Sequence, residues 1–192
     1  STANAYETTI AVTDPTADRT LTLPNLTGDI LPGKFEGTNF TGSMLIGHAT
    51  TGTLDAATYN SGVGLTALDA LTSGDYNTAV GYSSLTDNTT GAANTAHGNQ
   101  TLFKNITGDR NTAIGHHSLY QNTAGSHNIA VGYKALTNTT GNSNTGVGTT
   151  ALTENTTGQY NVAVGMNVLR NLTTANFNTA LGNNSLQDAN RT

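Results

Sequence analysis

The amino-acid sequence predicts an all-β fold: a repetitive β-solenoid or β-roll of about nine 17-residue coils, preceded by an N-terminal β-hairpin segment. Three observations predict it. A short motif recurs at a nearly constant interval, its columns keep a constant order of apolar, small and glycine residues, and the composition is polar without being charged. Only 10% of residues are charged, against roughly 25% in ordinary globular chains. Thr, Asn, Gly and Ala take up the difference. Val, Ile and Thr return at fixed places, which favours stacked strands over disorder.

The repeat is the main signal. Asn77-Thr-Ala-Val-Gly81 returns as Asn94-Thr-Ala-His-Gly98, Asn111-Thr-Ala-Ile-Gly115 and Asn128-Ile-Ala-Val-Gly132. It continues as Asn144-Thr-Gly-Val-Gly148, Asn161-Val-Ala-Val-Gly165 and Asn178-Thr-Ala-Leu-Gly182. Asn60-Ser-Gly-Val-Gly64 belongs to the set, and Ser43-Met-Leu-Ile-Gly47 is a degraded first copy. The repeat glycines are 17 residues apart, except that Gly132 and Gly148 are 16 apart. The missing residue lies between Leu136 and Gly141.

Each column has a physical reading. The position before the glycine holds Val80, Ile114, Val131, Val164 and their equivalents, an apolar, mostly β-branched ladder expected to stack inside the coils. The position before that is Ala or Gly from Gly62 to Ala180, so a neighbour packs closely there. Gly81, Gly115, Gly132 and Gly165 predict positive φ or a backbone approach that excludes a Cβ. Four residues on, Leu85, Leu119, Leu136 and Leu169 belong to an inward leucine column. A glycine turn, usually Asn-Thr-Thr-Gly, closes the unit. One strand, one leucine and one turn cannot bury a core alone, but stacked copies can. A 17-residue unit is also too short for helix-pair repeats, which need roughly 33 residues.

Residues 1–42 lack the repeat, and 43–192 contain it. Ile10 and Val12, then Leu21 and Leu23, alternate with polar residues around the turn sequence Asp14-Pro-Thr-Ala-Asp18. This predicts a β-hairpin with one apolar face, followed by a linker through Gly33, Gly37 and Gly42. The hairpin is expected to cap the first coil's open edge, or to supply a strand that joins a neighbouring subunit.

The segment from Thr8 to Pro24, followed by Asn-Thr-Ala-Val-Gly arrays, resembles tail-fibre and other structural proteins of marine bacteriophages, especially cyanophages. The repeat is more distantly similar to the head repeats of trimeric autotransporter adhesins. The resemblance implies a homotrimer, exposure on the virion surface and host attachment through a surface glycan or protein. The second expectation is a secreted subunit that polymerises head to tail into an extracellular filament, the N-terminal strand joining neighbours.

No residue pattern points to an enzyme, and no cofactor or metal is expected. The chain has no cysteine, so thiolate chemistry and disulfides are excluded. The histidines form no metal-ligand motif. His97, which replaces Val in the ladder, is a candidate axial or buried polar group. His116 and His117 read as occupants of a tolerant surface slot. Asp75, Asp87, Asp109 and Glu154 read as turn residues. The net charge is −5 and the seven basic residues are scattered, which argues against nucleic-acid binding. No apolar run reaches the roughly 18 residues a membrane span needs. Asn-x-Ser/Thr triplets, among them those at Asn88, Asn99, Asn105 and Asn155, arise automatically in a repeat built from Asn and Thr. The recurrent Tyr and Phe residues lie where copies vary most, so a receptor contact is expected on that face.

Overall fold

The computed structural model describes residues 33–35, 44–46 and 57–188 of the chain. Ten three-residue strands form one sheet in chain order. They are β1 (Gly33–Phe35), β2 (Met44–Ile46), β3 (Ser61–Val63), β4 (Thr78–Val80) and β5 (Thr95–His97), then β6 (Thr112–Ile114), β7 (Ile129–Val131), β8 (Thr145–Val147), β9 (Val162–Val164) and β10 (Thr179–Leu181). From β2 onward every pairing is parallel, and equivalent repeat residues face each other, as in Thr78↔Thr95, Ala79↔Ala96 and Val80↔His97. The chain is therefore a β-solenoid of roughly 17-residue coils, with seven complete coils between β3 and β10. The stretch read as a linker through Gly33 holds β1, which pairs antiparallel with β2, Lys34 opposite Leu45. The hairpin residues Ile10, Val12, Leu21 and Leu23 lie outside the described residues.

The interior is narrow. Leu68, Leu85, Leu102, Leu119, Leu136, Leu152 and Leu169 form its largest continuous column, each fully buried. Opposite them lie the strand centres, Ala79, Ala96, Ala113, Ala130 and Ala163, equally buried. Leucine leaves no room there for more than a methyl group. At Gly146 even an added Cβ would stand 3.1 Å from Leu136 Cγ.

This arrangement corrects one expectation. The column of Val80, Ile114, Val131 and Val164 does not enter the interior, and neither does His97. Successive strand residues point to opposite faces, so inward alanines force both flanking residues outward. Val63 is 39% exposed, Ile114 40% and Leu181 75%. The core is leucine, alanine and, unexpectedly, asparagine.

Two asparagine columns complete the interior. In the first, Asn60, Asn77, Asn94, Asn111, Asn128, Asn144 and Asn161 are fully buried. Each is tied to its neighbours: Asn111 Nδ2 donates to Gly125 O at 2.8 Å and to Asn94 Oδ1 at 3.1 Å. Asn111 Oδ1 in turn accepts from the backbone N–H of Asn128 at 3.0 Å. The amide thereby pins the turn glycine, the strand entry and the adjacent coil together. The second column runs Leu71, Asn88, Asn105, Asn122, Thr139, Asn155, Leu172, all buried. Its asparagines hold their own turns, as when Asn105 Nδ2 donates to Gly108 O at 3.0 Å.

Closing a coil in so few residues requires sharp reversals. Gly81 has φ of 132° and a Cβ there would lie 2.3 Å from Gly98 O, so only glycine fits. Three other positions per coil have positive φ without being glycine, among them Tyr76 (58°), Ser83 (52°) and Leu85 (51°). Left-handed backbone costs roughly 1–2 kcal/mol per residue outside glycine. Axial hydrogen bonds offset it: Ser83 N–H donates to Leu65 O at 2.9 Å and Leu85 N–H to Thr101 O at 3.0 Å.

Candidate functional site

With the interior filled by the repeat, function is left to the outer columns, and two differ sharply. The first is the outer strand face. From β3 to β10 it presents sixteen residues, two per strand, of which none is Asp, Glu, Lys or Arg. Ten are Val, Ile, Leu or His, and the other six are Ser or Thr. Seven strand spacings make this face about 34 Å long. His97 stands exposed on it, beside Val80 and Ile114.

The second is the corner after the repeat glycine, which changes from coil to coil. Tyr82, Tyr133 and Met166 are exposed there. Across the middle coils, aromatic and imidazole rings form one contiguous group. Phe103 stacks on Tyr120 with centroids 5.2 Å apart. The His117 ring lies 4.7 Å from Tyr120 and 3.9 Å from His116. His116 stacks on Tyr133 at 5.6 Å. Lys134 Nζ lies 5.3 Å from the Tyr133 ring centre and Lys104 Nζ 5.4 Å from that of Phe103. His117 Nε2 is 2.6 Å from Gln100 Oε1. Burial, then the neighbouring charges of His116 and Lys134, hold His117 below its ordinary pKa of 6.5.

Elsewhere rings pair along the axis: Tyr59 on Tyr76 at 5.0 Å and Tyr160 on Phe177 at 5.1 Å. Both separations match the spacing of neighbouring coils, so each ring covers the next and spends a face in doing so.

Two of the acidic turn residues serve backbone. Asp75 Oδ1 accepts from Thr58 N–H at 2.7 Å, and Asp109 Oδ1 from Ala92 N–H at 2.8 Å. Among the described residues no three His, Cys, Asp or Glu side chains come together as a metal-binding group. Nor is there among them any helix long and apolar enough to cross a membrane. Of the sequon asparagines, Asn88, Asn105 and Asn155 are fully buried, their side-chain nitrogens engaged in hydrogen bonds. Folded coils therefore offer none of the three to a glycosyl transferase.

Sequence reasoning missed two features. It assigned no role to the first asparagine column, although all eight copies from Asn60 to Asn178 keep Asn while neighbouring positions vary. It also left Lys104 and Lys134 out of the variable surface. Aligning the copies would have placed Gln100, His117 and Lys134 in one column, 17 residues apart. Compared with protein-family models, curated proteins and solved structures, the chain matches none.

Proposed function

We propose that this chain is a structural fibre segment: a rigid β-solenoid shaft that assembles as a homotrimer, extends from a phage tail fibre and contributes to host-surface attachment. One observation carries the reading, the charge-free apolar strand face that runs the length of eight strands. A continuous apolar face of this kind marks an interaction surface. A chain of net charge −5 can meet copies of itself without like-charge repulsion only where no charge stands. Copies related by a threefold axis along the solenoid present the same ladder to one another at the same period. Closed symmetry of this kind yields discrete particles rather than open polymers. The role is mechanical rather than catalytic, and several identical shafts strengthen weak surface contacts through multivalency.

The test is particle mass by light scattering, with negative-stain images of the same sample. Short rods of three chains are expected. The double substitution Val131→Lys, Val147→Lys places charges on that face only, and is expected to give monomers with unchanged circular dichroism. Long filaments of uniform width would instead favour the head-to-tail polymer, and a wild-type monomer would overturn self-association altogether.

A further inference from the structure

Charge is distributed unevenly along the solenoid. Between His97 and Lys134 stand Lys104, Arg110 and Lys134 against a single acid, Asp109, together with four of the five histidines. The described residues on either side, 57–96 and 135–188, carry Arg170 against five acids. Within the middle coils, the Lys134 ammonium and two imidazoles converge on the aromatic corner. His116 and His117 are in ring contact, and the charge of Lys134 is felt at His117. No carboxylate among the described residues pairs with any of the three, and Asp109 is held at another turn by Ala92 N–H. At the margin Lys104 meets Asp87 at 3.9 Å.

We propose that this corner binds the carboxylate of a uronic-acid unit in a surface polysaccharide, an inference that rests on the reading of the shaft as host-contacting. Unneutralised cations crowded together repel one another, and an anion relieves that repulsion. Lys134 and the imidazolium form of His117 supply charge-assisted donors to the carboxylate, and the His116 ring stands beside them. The Tyr133 and Tyr120 rings and the Gln100 amide, one coil before His117, supply apolar and hydrogen-bonding contacts to the sugar ring. A long polyanion such as nucleic acid is disfavoured, because acids outnumber bases in the described residues on both sides of the patch. A short anionic unit is not.

His117 is contacted by Gln100 from the preceding coil and by His116 and Tyr120 from its own; the titratable groups that act on it electrostatically are His116 and, from the next coil, Lys134. Burial and its neighbours hold His117 below its ordinary pKa, and it pairs with the anion only when charged, so affinity rises as pH falls. The experiment is calorimetry of the full chain with oligogalacturonate and with its methyl ester, at pH 5.5 and pH 8 in low salt. Expected are binding of the acid only, several-fold tighter at the lower pH, and about tenfold weaker binding in the His117→Gln, Lys134→Gln variant. Arg170→Gln, in a later coil, leaves affinity unchanged. Equal binding of the ester, no binding of the acid, or an unaffected double variant would each overturn the proposal. Binding is read separately from mass: a monomer that binds uronate overturns the trimer alone, and a trimer that does not bind overturns this site alone.

Discussion

The two buried asparagine columns look alike in sequence and behave differently in the fold. The first is asparagine in every copy from Asn60 to Asn178. The second accepts Leu71, Thr139 and Leu172. The difference lies in what each amide holds. Asn111 joins the strand entry, the turn glycine and the next coil's backbone N–H. Asn122 reaches only the preceding amide and its own turn at Gly125, and Gly125 O already accepts from Asn111. The first column is structural hardware, whereas the second is reinforcement. The orphan oxygens agree: Asn122 Oδ1 and Asn155 Oδ1 have no partner, and the next coils at those points carry Thr139 and Leu172 instead of an amide donor.

Three substitutions probe this contrast, from the largest expected effect to the smallest. Asn111→Leu strands the Asn128 N–H and forces a larger side chain into the narrow coil. It is expected to lower stability by about 3–5 kcal/mol, read as a fall in the urea midpoint. Leu119→Ala removes one buried rung of the apolar column and should cost about 2–4 kcal/mol, measured in the same titration. Asn122→Leu makes the same exchange as the first variant in the tolerant column. It merely moves the orphan oxygen from Asn122 to Asn105, so a loss of about 1 kcal/mol is expected. Equal losses for Asn111→Leu and Asn122→Leu would refute the distinction between the columns.

The same logic separates the outer surfaces. The strand face keeps one character through eight strands, with no Asp, Glu, Lys or Arg on it. The corner after the glycine changes at nearly every coil, from Leu65 and Tyr82 to Asn99, His116, Tyr133 and Met166. Because coil geometry rests on the interior, that corner can change its side chains without disturbing the stack.

Much of this was legible in the repeat. The period, the leucine column and the glycines follow directly from aligning the copies, because stacking places equivalent residues over one another. The outward direction of the valines did not follow, since burial was read from hydrophobicity. The alternation rule applied to adjacent Ala and Val would have shown that both cannot point inward. The cationic corner was hidden for another reason. Its members, from Gln100 to Lys134, are spread over 35 residues and meet only when coils stack.

By itself, then, the sequence determined a parallel stack of 17-residue coils, because periodic side chains can bury themselves only against their own repeats. It could not show that Leu85 and its equivalents adopt left-handed backbone, a conformation that local preference reserves for Gly, Asn and Asp. Nor could it show which wall of the coil leucine would fill. Those choices belong to the tertiary structure. A narrow closed coil admits one large side chain per turn, and the hydrogen bonds between coils make its strained backbone tolerable.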